Sequence, residues 1–403
     1  MRRSPQPAPR PPARTATAIW LGLVLLLSFW YYWPSLRWPV TVHTGAGGGR
    51  PTGAGIEDPG DTRAILGAVG RVRAPRDLAR WVTSQWTHGA SNYYRPVTLA
   101  STWLDYTVWG ERALGYRLHN LLLQLANALL LGAVVMQVAG AFWPGAAASL
   151  LLVLSPTASA ATTWVAGRGD LLAAFFFLVA LLALLSIGPR ERRRYLWPLA
   201  IVAFLLALGS KEIAVALPAL VTAWVFFWPR PLSRGGRALI ALSLWAALGA
   251  FWVLRTHALG TATSTALSLE QLRSQVAWRN YAQFLAHPVT AWYYEFPWIG
   301  WLSLLTPSFW LFILGQLAYW GCAALLLATA PAATIAFFLW KVIVTPPILG
   351  APYFFAWKHY WYLPHLGSAA LGGLAAWRVA AAPAGWRRRR KGGEETGDEV
   401  GVG

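Results

Sequence analysis

YRPVTLASTWLDYTVWGERALGYRLHNLLLQLANALLL, residues 94–131, decides how the rest of this chain is read. It opens as an aromatic, polar segment with two anchors, Arg95 and Asp105, and passes without a break into an apolar run long enough to enter a bilayer. That is a loop feeding a membrane helix. Within the helix, Arg117, Asn120, Gln124 and Asn127 recur at spacings of three and four and share one stripe. A polar stripe in lipid needs a polar partner or a wet cavity. Interhelical hydrogen bonding is the plain reading of it, and a ligand site the functional one.

Outward from this stretch the composition is that of a membrane protein. Of 403 residues, 56% are hydrophobic and 12% charged, and apolar runs recur along almost the whole length. A set of soluble domains is excluded, and the expected fold class is an all-α polytopic membrane protein. The net charge of +19 points away from a nucleic-acid partner, because the basic residues cluster between apolar spans and at both ends, where they set topology. One cysteine, Cys322, excludes a disulfide framework and a cysteine metal site. The 26 tryptophans suit membrane interfaces. The Ala-, Arg- and Trp-rich usage suggests a bacterial inner (plasma) membrane.

Residues 1–17 read as a basic cytoplasmic N-terminus and 18–36 as a retained first transmembrane helix, since the run ends in Tyr31, Tyr32, Trp33 and Pro34 and not in a small-residue cleavage site. Residues 37–116 form a large first extracytoplasmic loop, Gly/Pro-rich at first and then compatible with surface helices from about 76 to 109. Transmembrane helices 2–7 fall within 117–255, at 117–138, 142–160, 170–187, 195–209, 213–228 and 236–255. A second extracytoplasmic loop spans 256–308. Helices 8–10 fall within 309–381, at 309–329, 331–349 and 363–381, and 382–403 is expected to be a disordered cytoplasmic tail. With about 10 helices and both termini cytoplasmic, the basic stretches Arg190–Arg194, Arg230–Arg237 and Arg387–Lys391 all lie inside.

With that topology the costly polar residues collect on the extracytoplasmic face. They are Arg95 and Asp105 in the first loop, Arg117 and Asn120 at the start of helix 2, and Arg168 and Asp170 between helices 3 and 4. Lys211 and Glu212 follow between helices 5 and 6, and Lys358, His359 and His365 precede the last helix. Ionisable groups at such depth are functional candidates, and a cation-rich face suits a lipid phosphate. Structural readings stand beside this: Arg168 and Asp170 as a salt-bridged helix cap, and Lys211 and Glu212 as an interfacial turn. His43, His88, His257 and His287 read as solvated or structural. No HExxH-like spacing supports a catalytic zinc.

Four segments resemble one family. The opening stretch, SPTASAATTWVAGRGDLLAAFFFLVAL, SKEIAVALP at 210–218 and HYWYLPHLG at 359–367 are similar, in that order, to motifs of the membrane O-mannosyltransferases that carry tetratricopeptide repeats and of their bacterial relatives. The sequence departs from the family's pattern at Ser155, Pro156 and Ala160, where a His-Pro step and a glutamate are usual. It departs again at Arg117 and Gln124, which replace histidines, and at His359, which replaces an arginine. The resemblance implies a GT-C glycosyltransferase fold with its active site on the extracytoplasmic side, transferring a sugar from a polyprenyl-phosphate donor to an acceptor hydroxyl on a protein or glycan.

It further implies a catalytic base in the first loop, where Asp58 and Glu57 are the candidates, with Asp61 close behind. The substrate-binding set is then Arg95, Asp105, Arg117, Asn120, Arg168, Asp170, Lys211, Glu212, Lys358 and His359. A divalent cation, Mg or Mn, is the implied cofactor, whose charge the added arginines partly replace. The competing reading is a non-catalytic lipid-linked-sugar carrier, flippase or assembly factor. A solute transporter predicts inverted repeats, and none is visible.

Overall fold

The computed structural model describes residues 14–36, 65–72, 74, 77, 93–110, 112–187, 195–225, 233–260, 278, 281, 285, 307–349 and 358–395. Among these residues the chain is helical, with no strand. The longer helices, in order, are α1 (Arg14–Leu36), α2 (Pro96–Trp109), α3 (Ala113–Ala139), α4 (Phe142–Val153), α5 (Pro156–Thr163), α6 (Arg168–Ser186) and α7 (Leu196–Leu208). They continue as α8 (Leu217–Trp224), α9 (Arg234–Leu259), α10 (Pro307–Thr329), α11 (Pro331–Val344), α12 (Pro346–Leu349) and α13 (Tyr362–Glu395). Short 3-10 turns cover Val165–Gly167, Glu212–Ala216 and Lys358–Trp361.

Helix α3 is central, packing against α1, α2, α4 and α6. Around it α6 packs on α7, α13 on α4, and α11 on α13. Small residues let the backbones approach: a Cβ on Gly145 of α4 would lie 2.3 Å from the Gly132 carbonyl of α3, closer than any real contact. Large apolar residues such as Ile19, Leu26, Trp30, Leu242 and Val253 point outward, as a face meeting lipid requires and a face meeting water does not.

Five helices are long and apolar enough to cross a membrane, and six if the bent pair α4–α5 is one span. This is an integral membrane protein. The expected ten spans are not reached among the described residues, and the shortfall has local causes. The run read as 142–160 is bent by 56° between Val153 and Pro156. Ser155 caps the new helix, its Oγ accepting from Ala158 N at 3.4 Å, and Pro156 fits the first turn, where no N–H is needed. The spans read at 195–209 and 213–228 are helices of 13 and 8 residues, flanking a turn at Gly209–Lys211.

Other boundaries also move. The expected loop 37–116 contains α2, and α3 begins at Ala113. Gly110, at φ 57, supplies the left-handed residue that ends α2 and lets the chain turn into α3. The 256–308 loop begins after α9 reaches Leu259. The tail expected to be disordered from 382 instead prolongs α13 to Glu395, since its Arg and Lys run carries good helix-forming residues.

Candidate functional site

The polar residues singled out by the sequence meet at one end of the bundle. That end gathers the starts of α2, α3, α6 and α13, the end of α7, and the turns at 164–167, 209–212 and 358–361. Backbone pairing fixes α2 there: Val97 N donates to Gly209 O at 3.0 Å, and Thr98 Oγ1 donates to Ser210 O at 2.8 Å.

Three ion pairs cross between elements, graded by depth. At the rim, Arg95 grips Glu212 through Nη2–Oε2 at 2.7 Å and Nε–Oε2 at 3.0 Å, with side-chain exposures of 15% and 18%. Burial draws the Arg95 guanidinium down, but the Glu212 carboxylate outweighs it and holds the group above its ordinary value. Deeper lies Lys211, whose Nζ is 2.6 Å from both carboxylate oxygens of Asp170 and 4.5 Å from the centre of the Tyr360 ring. Asp170 sits in the first turn of α6, where the helix dipole favours an anion.

Deepest is Arg168, 1% exposed. Its Nη2 donates to Asp105 Oδ2 at 2.6 Å and to the Tyr116 carbonyl at 3.0 Å, its Nη1 to Ser101 Oγ at 3.0 Å, and its Nε to Asn120 Oδ1. Asn120 in turn donates to the Trp164 carbonyl at 2.9 Å. His359 packs against Trp164 and Tyr360, with ring centroids 4.3 and 4.5 Å away. Burial, reinforced by Lys211 and Arg95, holds its imidazole well below the ordinary range, so the ring is neutral.

Several expectations are corrected by this geometry. Arg168 and Asp170 do not cap one another, since each is spent on a partner from another element. Lys211 does not snorkel to an interface, because its ammonium is buried against Asp170. His359 supplies no positive charge for a phosphate. The stripe on α3 divides: Asn120 joins the Arg168 network, whereas Gln124 and Asn127 tie α3 to its neighbours. Asn127 donates to Leu171 O and to Tyr362 Oη at 3.0 Å, and Gln124 accepts from Tyr362 Oη. Arg117 is buried in the same end, 2% exposed.

Glu57, Asp58 and Asp61 lie outside the described residues, as does the side chain of Lys358. Three participants went unread in the sequence. His119 lies 2.8 Å from Asp105. Arg255, near the end of α9, interacts electrostatically with Glu212 and stands 5.0 Å over the Trp252 ring. Tyr362 joins α13 to α3. Arg255 had a readable signal, a cation closing an apolar span.

The described residues do not fit the implied divalent cation. No group of three or more His, Cys, Asp or Glu among them is arranged to hold a metal, and Asp105, Asp170 and Glu212 are each neutralised by a cationic side chain.

Away from this end, α10, α11 and α13 enclose an apolar groove of about 450 Å³, walled by Ala323, Leu326, Phe338, Leu371 and Ala375 and by Lys341.

Two solved structures share the architecture. The apo oligosaccharyltransferase of Archaeoglobus fulgidus matches 94% of this chain and 52% of its own, with a TM-score of 0.54 at 11% identity. The oligosaccharyltransferase AglB of the same archaeon, in complex with an inhibitory peptide and a dolichol-phosphate, matches 97% of this chain and 53% of its own, with a TM-score of 0.53 at 11% identity. The chain shares the fold of those two structures. This chain spans about half the length of those proteins, and the likeness is one of backbone. No protein-family model matches the sequence, and no curated protein matches it significantly, so the O-mannosyltransferase resemblance has no support beyond the motifs that suggested it.

Proposed function

We propose that this protein is a membrane glycosyltransferase that moves a sugar from a polyprenyl-phosphate donor to an acceptor hydroxyl on a protein or glycan. The observation that carries the reading is the cluster of paired cations at one end of a GT-C-type bundle. The dolichol-phosphate and peptide held by one of the structural neighbours are of the same two chemical classes. The motif resemblance to O-mannosyltransferases supports a mannosyl-type donor. Basic connections such as Arg190–Arg194 support cytoplasmic termini in a bacterial inner membrane and an extracytoplasmic site.

Transfer breaks the bond from sugar C1 to the phosphate oxygen and forms one from C1 to the acceptor oxygen, through an oxocarbenium-like transition state. The leaving phosphate gains charge as that bond breaks, and pre-placed cations lower the barrier. Arg95 is the first of these, because its pair with Glu212 is the most exposed of the three and a guanidinium fork engages a phosphate as readily as a carboxylate. Lys211 lies behind it. Arg168 and Asp105 position the site instead of meeting the donor. The proton of the acceptor needs a base, for which Asp58 and Glu57 are the loop candidates.

The test is sugar transfer by purified protein in nanodiscs with a panel of polyprenyl-phosphate sugars. Wild type is expected to turn over at least one donor, with and without excess EDTA. Arg95→Ala is expected to lower kcat/KM by roughly 10²-fold, the usual cost of removing one transition-state charge contact. Donor binding without turnover by wild type would establish the carrier, flippase or assembly-factor reading.

The groove between α10, α11 and α13 offers walls for the prenyl chain. Ala323→Trp fills it, and is expected to raise KM for a long-chain donor about tenfold, equivalent to ~1.4 kcal/mol, while leaving a short-chain donor unaffected. Equal effects on both donors would place the chain elsewhere.

A further inference from the structure

Residues 94–131 bring a histidine against one of the buried carboxylates of the site. Asp105 on α2 and His119 on α3 face each other with Oδ1–Nδ1 at 2.8 Å. The other carboxylate oxygen of Asp105, Oδ2, accepts from Arg168 at 2.6 Å, so the carboxylate is fixed in orientation by a guanidinium that is itself 1% exposed. Two acceptors do not meet at hydrogen-bond distance, which assigns the Nδ1 hydrogen to the side of Asp105. Arg168 Nη1 directs one of its two hydrogens to Ser101 Oγ at 3.0 Å and lies 3.1 Å from the same nitrogen, a longer approach than the 2.8 Å to Asp105 that takes the Nδ1 hydrogen. The imidazole lone pair is then on Nε2, at the other edge of the ring.

The dyad is exposed on one side only. The Asp105 side chain is 6% exposed and that of His119 is 30% exposed. A buried carboxylate that orients a partly exposed imidazole is the arrangement of a general base. It is continuous with the cation cluster, because Arg168 holds Asn120, Asn120 holds the Trp164 carbonyl, and Trp164 packs on His359 beside Tyr360 and Lys211.

We propose that His119, oriented by Asp105, takes the proton of the acceptor hydroxyl, displacing Asp58 and Glu57 from that role; this rests on the glycosyltransferase reading above. As the acceptor oxygen bonds to sugar C1, its proton passes to His119 Nε2, and the electron pair of the breaking C1–O bond leaves with the lipid phosphate. The imidazolium keeps its Nδ1 hydrogen on Asp105 and returns the added proton to solvent. Asp105 is a positioning residue in this scheme.

The experiment uses the full chain in nanodiscs with the donor that wild type turns over, and follows transfer, donor binding and melting temperature together. His119→Asn retains a side-chain N–H for Asp105 but has no base. It is expected to fold and bind donor as wild type does, with unchanged KM and a kcat lower by roughly 10²–10³-fold. His119→Ala is expected to regain activity when imidazole is added. A folded His119→Asn with kcat within a few-fold of wild type, or a His119→Ala that imidazole does not restore, overturns the proposal and leaves the glycosyltransferase reading in place. If wild type binds donors and never turns one over, both fall together.

Discussion

Arg168→Ala is expected to leave little folded protein in the membrane. The guanidinium is the shared partner of Asp105, Asn120, Ser101 and the Tyr116 carbonyl, and so joins α2, α3 and α6 at the end of the bundle. Truncation removes one member of a buried pair and strands the other, Asp105, as an uncompensated buried charge. Breaking such a pair costs about 3–5 kcal/mol, a large part of the stability of an ordinary domain. Arg168→Lys is expected to fare little better, since an ammonium cannot reproduce a planar fork that bonds in several directions. Membrane yield and detergent melting temperature of the two variants beside Arg95→Ala are the measurements. A stable Arg168→Ala that has lost only donor affinity would show that Arg168 meets the ligand and that its network is incidental.

The Asp170–Lys211 pair separates structure from chemistry in another way. Lys211→Met and Asp170→Asn each leave one charge without its 2.6 Å partner, and each is expected to destabilise by about 3–5 kcal/mol. The double variant removes both charges, and is expected to melt close to wild type, because a buried pair replaced as a unit is often near neutral. Turnover is expected to behave differently. If Lys211 stabilises the departing phosphate, the double variant stays about 10²–10³-fold slow even though it is stable again. Melting temperature and kcat for the four proteins of the cycle give both answers. Recovery of rate along with stability would make the pair purely structural.

These effects bear on what the residues disclosed by themselves. Periodicity placed Arg117, Asn120, Gln124 and Asn127 on one stripe of α3, and hydropathy parity brought five connections to one end of the bundle. Both follow from local rules of spacing and charge, and the structure has the stripe buried and the connections together. Partnership was not legible. Arg95 lies 117 residues from Glu212, and Arg168 lies 63 from Asp105, so no local rule couples them. Cations counted as available for a phosphate were therefore already taken up by carboxylates from other connections. His119 was passed over because it stands one residue beside the stripe, and only the placement of α2 gives it Asp105. Mean hydropathy does not show the 56° bend between Val153 and Pro156, which a proline and a capping serine determine.

The junction of α2 with the 209–212 turn also sets an order on biosynthesis. Gly209 and Ser210, whose carbonyls receive Val97 N and Thr98 Oγ1, are made more than a hundred residues after their partners. While the chain is being threaded into the membrane, Arg95 has no Glu212 and α2 has no seat. The reactive end of the molecule therefore cannot exist on a nascent chain that stops before this turn, however many of its spans have been inserted. Helices α3 to α6 are laid down first as a frame, α7 then delivers the turn that seats α2, and the 358–361 turn joins last. A mutation that weakens this junction would act on the yield of fully folded protein without slowing the insertion of the frame.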